Sequence, residues 1–531
     1  MIKFLLVLFF YLCPSVCNLS FAQQNEQLTT LSKQVIEAKA DSDLYPLFQQ
    51  ITDLYFKENK YSECAEFLNS LAAKKKTLGP YVNYFLALDR YRQLKYLEES
   101  QGWDEYFAKG NAYRDDITGC AQKVIDTTSV KEPLYLYARL ILWQFHKDQQ
   151  DAFLDGATTE LMRAASEYSK DARDPAPIKK VADQMMSYGE KTKPRELYKM
   201  YVDKLISSQA PDQDLSGIAA AFYNEGNLDL AETVYDLYMG RASTQEKDKS
   251  VPVLIGIAKN FAYQDGVKND PAYAEKVFKK IEEIGGKDSL NEELIYLRAF
   301  NLEKIKEYPQ AKDVYADFLQ RFPSSVKADE AIFKIGVISI YVLRDMQGGQ
   351  DYLEKLAKKE TLSPQGISAL YQLALLNQWK GDAEKAKDYY NQLLESAGSD
   401  FPGVTALTAI RLKEIDQAQP IEYNLKMFLD ASLKEDSPSF GPSKADMKAS
   451  VYRPGKDESV NISATAYAGE SGCTQVELSY LWSGDLGDAT PSSGDSDFSI
   501  KYASAGTKVI NLVVVSSAGI LDRTLDFLDV K

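Results

Sequence analysis

The chain has 531 residues, with 77 acidic against 62 basic side chains and a formal net charge of −15. That balance disfavours nucleic acid and anionic lipid surfaces, which select basic faces, and the length is too great for a single hydrophobic core. One histidine in the whole chain leaves no histidine-based metal cluster and a single candidate base for a nucleophile.

The first 22 residues read as an address. Lys3 precedes an apolar run at 4–13, Pro14 breaks it, and Ser20 and Ala22 supply small residues for cleavage after Ala22. The run is shorter than the roughly 20 residues that span a bilayer. Cys17 follows Pro14-Ser15-Val16, a poor context for lipid attachment. The expectation is an exported protein of the periplasm or outer-membrane neighbourhood. Cleavage would leave Cys64, Cys120 and Cys473, an odd set with at least one free thiol. Cys64 and Cys120 either form a bridge or pack separately; the position of Cys64 among small helix-contact residues favours packing.

From 23 to 433 the pattern is helical. In 366–398, Ala374 is followed twelve positions later by Ala386, then by Tyr390 one turn on, with Gly381 in the turn between. The spacing recurs as Ala219, Phe222, Gly226, Ala231 and Tyr235, and as Ala299, Leu302, Ala311 and Tyr315. Weaker copies hold Thr52, Tyr55, Tyr61 and Cys64, and Ala274 with Phe278. Small residues let two antiparallel helices approach to about 8–10 Å, and the aromatics fill the space between pairs. This pattern resembles the tetratricopeptide (TPR) repeat, whose 34-residue period builds a solenoid. The stretches 103–174 and 345–361 depart from the period.

The resemblance implies a concave surface that holds a protein partner. Helical spacing in the two clearest units points Tyr296, Phe300, Glu303, Tyr371, Leu375 and Gln378 toward it. They lack the Lys, Arg and Asn with which some TPR proteins clamp a terminal carboxylate, so an extended or helical protein segment is the expected occupant. His146 lies on an apolar helix and reads as an interfacial residue. No nucleotide loop or cofactor motif is present, and no catalytic, cofactor or metal residue is expected.

Beyond 433 the composition changes. Residues 434–446 read as a Pro/Ser/Gly-rich linker, and 447–531 as a small all-β sandwich with β-rich runs at 460–467, 476–482, 498–502, 508–515 and 521–530. The segment LSYLWSGDLGD at 478–488, followed by Tyr502, Gly506 and Gly519, resembles PKD domains, which are immunoglobulin-like. Ser483 and Gly484 depart from that family's pattern. Asp485, Asp488, Asp495 and Asp497 are candidate oxygen ligands without the spacing of a calcium loop. The fold expected is an all-α TPR-type solenoid followed by a β-sandwich. The function expected is an exported, non-catalytic scaffold of the bacterial cell envelope, since 308–331 also resembles repeats of periplasmic TPR proteins. The alternative is a glycan- or wall-binding accessory protein using Tyr452, Tyr467, Tyr480 and Tyr502.

Overall fold

A computed structural model describes residues 14–38, 41–171, 174–207, 212–242, 246–265, 267, 269–437, 444–467, 477–517 and 519–531. The apolar run at 4–13, Cys473 and linker positions 438–443 lie outside these residues. Two compact units are present, Met1–Tyr238 and Met239–Lys531. Among the described residues the chain forms 21 α-helices between Pro14 and Leu433, then six strands between Ala445 and Val530. None of these helices is long and apolar enough to cross a membrane.

The pair Pro364–Lys380 and Ala383–Ala397 shows how sequence makes the repeat. Ser363 accepts a hydrogen bond from the Gly366 amide, satisfying a free donor at the helix start, and Pro364 occupies the first turn. Gly381 ends the helix with φ of +86°, and Asp382 caps the next by accepting from the Lys385 amide. Ala374, Ala386 and Tyr390 are fully buried, as are Ala219 with Ala231 and Ala299 with Ala311. A left-handed residue recurs in the turn of other pairs. Gly189 and Gly226 take it without cost, but Asn59, Gln101, Gln150, Lys306, Arg344 and Ala418 adopt it too. Side-chain contacts between positions 34 apart tie successive repeats together: Lys204 to the Lys170 carbonyl in the first unit, and Lys259 with Glu293 and Tyr296 with Glu330 in the second.

The irregular stretch at 345–361 is still a helix-pair contact, made by glycines. A Cβ placed on Gly349 would lie 2.7 Å from the Gly336 carbonyl oxygen and 2.4 Å from Ile340 Cγ1. Glycine here does what alanine does elsewhere, bringing Ala328–Tyr341 and Met346–Ala357 closer than a methyl allows.

The strands are β1 (Ala445–Ala449), β2 (Val460–Ala466), β3 (Leu478–Gly484), β4 (Asp497–Ile500), β5 (Gly506–Ser516) and β6 (Gly519–Val530). They form two antiparallel sheets, β1-β2-β4 and β3-β5-β6. That is the immunoglobulin constant-type arrangement with one edge strand of the first sheet missing. Trp482 is buried, donates its indole N–H to the Asp495 carbonyl, and meets Phe498 of the other sheet edge-on at 4.9 Å. β1 starts two residues before the expected module boundary.

Gly349→Ala is expected to destabilise the chain by about 1–3 kcal/mol through overpacking, despite alanine's better helix propensity. Urea unfolding of the variant beside wild type checks this.

Candidate functional site

The surface expected to be an open groove is occupied. Tyr296, Phe300, Glu303, Tyr371 and Leu375 are all buried. Their helices, Glu292–Lys304 and Pro364–Lys380, form one row with Ala328–Tyr341 between them, and the chain's own β-module packs against that row. Arg453 lies 4.3 Å from the Phe300 ring centroid and 5.6 Å from that of Tyr296. Leu375 and Tyr371 share one hydrophobic core with Val509 and Val513 of β5 and with Leu525 and Phe527 of β6. Gln378 alone is half-buried; it donates to Glu414 at 3.1 Å, accepts from Tyr390 at 2.9 Å, and lines a surface cleft of about 570 Å³. The burial of these side chains has a simple cause. Helical spacing tells which way a side chain points, but not what the rest of the chain places in front of it.

Charge fixes the module in place. Lys334 has no exposed side-chain surface and lies 2.8 Å from Asp529, 3.0 Å from Glu303 and 3.5 Å from Glu330. Lys304 bridges Glu303 at 3.0 Å and Asp526 at 2.7 Å, and Lys306 pairs with Asp446. The Tyr308 hydroxyl donates to the Leu525 carbonyl at 3.1 Å. Burial alone would lower the Lys334 ammonium, but Asp529 and Glu303 outweigh it and hold it charged, well above the usual lysine value. Burial, then the neighbouring Asp529, pushes Glu330 up. Burial opposes the charge on Asp529, yet Lys334 holds that carboxyl below its ordinary value. In the sequence Glu303 reads as a groove acid and Lys334 gives no signal, because a lysine on an apolar helix looks like a surface residue.

The N-terminal unit carries a groove of its own. Alternate helices Asp41–Phe56, Gly79–Glu99, Pro133–Gln149 and Ala176–Ser187 line a cavity of about 370 Å³, with Tyr45, Tyr84, Tyr91 and Tyr188 among its walls. The Tyr91 and Tyr188 hydroxyls are 2.5 Å apart, and Lys180 donates to the Tyr45 hydroxyl at 2.6 Å. Gln144 donates to Gln184 at 3.0 Å. None of these residues was singled out in the sequence, since the repeat signal is weakest here.

The remaining candidates have local roles. Tyr452 and Tyr502 are buried, Tyr480 is half-buried, and Tyr467 is exposed, so the four do not make a common aromatic face. Asp488 accepts from the Lys501 amide at 2.7 Å, Asp495 from the Ser492 amide at 2.7 Å and Asp497 from the Ser496 hydroxyl at 2.7 Å, while Asp485 pairs with Lys508 at 3.6 Å. Among the described residues no group of His, Cys, Asp and Glu could hold a metal ion. His146 contacts Asp151 at 2.8 Å across a turn. Cys64 and Cys120 are free thiols, and Cys64 is buried beside Asp89, whose carboxyl burial pushes up to about 7.

A solenoid of helix pairs with two differently furnished inner rows is the class of structure this defines. The segments 293–325 and 368–398 match the tetratricopeptide repeat family, so the chain carries TPR repeats. Comparison with curated proteins gives no match. Among solved structures the chain is similar to the C-terminal part of a TPR repeat-containing protein from Cytophaga hutchinsonii, at 14% identity over 50% of this chain and 99% of that one, with a TM-score of 0.26. It is also similar to a tetratricopeptide repeat protein from Parabacteroides merdae, at 11% identity over 52% of this chain and 98% of that one, with a TM-score of 0.21.

Lys334→Met is expected to cost about 3–5 kcal/mol, because Asp529 and Glu303 stay buried without their cation. Glu330→Gln keeps an acceptor for Tyr296 and should be near neutral or stabilising at pH 8; denaturant unfolding of both variants separates the two outcomes. Asp89 has a folded pKa above its unfolded one, so its contribution is full below the usual carboxylate range and lost as pH rises through about 7. Asp89→Asn should therefore flatten this part of the pH–stability profile and stabilise the chain at pH 8 by roughly 1–3 kcal/mol, read by thermal unfolding across pH 4–8.

Proposed function

We propose that this protein is an exported, non-catalytic scaffold of the bacterial cell envelope that holds a partner protein along the inner helix row of its N-terminal unit. One observation carries the reading: the inner row of the C-terminal unit is covered by the chain's own β-module, whereas the tyrosine-lined row at 41–188 retains a cavity of about 370 Å³. TPR repeats build surfaces for protein contact, and Tyr supplies large, rigid contact area with a polar tip. Export rests on the apolar run at 4–13 and the small residues Ser20 and Ala22. The β-module is proposed to be a PKD-like domain put to structural use, covering the inner helix row of the C-terminal unit rather than reaching for a glycan.

A photo-crosslinking residue at Gln49, on the groove wall and exposed, is expected to give discrete protein adducts in the envelope fraction of the native host. The same residue at the exposed position Lys123 serves as control. Adducts no different between the two positions, or recovery of the chain from the cytoplasm, would count against the proposal.

A further inference from the structure

We infer that the groove of the N-terminal unit takes an acidic polypeptide segment, with its Asp or Glu side chains seated on Lys180 and Arg92. The inference deepens the scaffold reading and rests on it. Two lysines of the C-terminal unit that lie near aromatic rings each receive a carboxylate from β6. Lys304 sits 3.7 Å from the Tyr452 ring centroid and receives Asp526 at 2.7 Å. Lys334 lies 5.1 Å from the Phe300 centroid and 5.5 Å from that of Phe527, and receives Asp529 at 2.8 Å. In both cases a carboxylate from β6 joins Glu303 on an ammonium that lies near aromatic rings. In effect, β6 is an acidic strand bound in a groove of aromatic-backed lysines.

The N-terminal unit repeats the cations without all of the acids. Lys95 lies 5.6 Å from the Tyr188 centroid and is matched by Asp148 at 3.1 Å. Lys180 lies 4.4 Å from the Tyr45 centroid and 4.5 Å from that of Tyr137, and its one hydrogen bond is to the Tyr45 hydroxyl. Arg92 lies 4.8 Å from the Phe56 centroid. Neither Lys180 nor Arg92 has a carboxylate partner among the described residues, although the adjacent Lys179 pairs with Asp183 at 2.9 Å. Acids are not scarce in a chain of net charge −15. Yet with Lys95 matched by Asp148, the charged groups lining this groove still leave Lys180 and Arg92 against Asp53. A local reversal of sign inside an acidic protein steers and selects an anionic partner. The tyrosine faces and the amides of Gln49 and Gln184 suit a polypeptide, whose main chain needs donors and acceptors at intervals.

The test uses the full chain and fluorescein-labelled peptides that alternate Asp with Leu, with the Asn-for-Asp peptide and a heparin oligosaccharide as comparisons. The acidic peptide is expected to bind, to bind roughly tenfold more tightly than the Asn peptide, and to weaken as salt is raised. Lys180→Met with Arg92→Met should lower its affinity roughly tenfold while the circular dichroism stays that of wild type. Equal binding of the two peptides, no binding of the acidic one, unchanged binding by the double variant, or binding of heparin alone would each overturn the inference. Should the double variant misfold, the comparison of Asp and Asn peptides on the native chain decides. A partner crosslinked at Gln49 equally well in the folded double variant sinks this inference and leaves the scaffold reading standing. Loss of every Gln49 adduct in the wild type removes both.

Discussion

A lysine ammonium without water must find its charge balance within the fold, and the C-terminal unit is arranged around that need. Lys334 gathers Glu303 from one helix, Glu330 from its own helix and Asp529 from the last strand, within 3.5 Å. Removing Lys334, or the strand that carries Asp529, leaves a charge in a low-dielectric interior, which costs far more than the pair contributes when complete. The ion cluster therefore makes the β-module obligatory to the helices beneath it. It also sets the module's orientation, because Asp526 and Asp529 reach Lys304 and Lys334 only when β6 lies across this row of helices. The apolar residues shared by β5, β6 and the helices supply the burial; the charges supply the register.

This arrangement changes what the repeats are for. A row of aromatic and acidic side chains on the first helices of successive pairs is the usual sign of a surface kept free for a partner. Here Tyr296 and Phe300 hold Arg453, and Glu303 neutralises two lysines. The C-terminal repeats have an internal occupant, and their side chains are core residues by location. In the N-terminal unit no described element fills the groove, which is walled by the exposed Gln49 and Arg92, the half-buried Tyr45, Lys180 and Tyr188, and the buried Tyr84 and Tyr91.

Repeats were legible where small residues and glycine mark them. Ala374, Ala386 and Gly381 declare a helix pair because a close crossing and a left-handed turn restrict the residues that fit. The turns at Asn59, Gln101, Gln150, Lys306, Arg344 and Ala418 use the same left-handed geometry with residues that give no such signal. The Gly336 and Gly349 contact was hidden for the opposite reason: it replaces alanine with glycine and so breaks the pattern it fulfils. The β-module was legible from its alternation and from Trp482, apart from β1, whose ADMKA sequence has no β-rich run.

By itself the sequence determined the sequence-local features: the helical period, the small residues at helix crossings, the change to alternation after Leu433 and the acidic balance. Each follows from neighbours a few positions apart, where backbone geometry decides which residue fits. Only the tertiary structure decided which groove is filled and which is open. Lys334 and Asp529 are 195 positions apart, and no local pattern reveals that a buried cation on one will be matched by an acid on the other. Whether a side chain binds a partner or belongs to a core depends on what the rest of the chain brings to it, a property of the assembled fold.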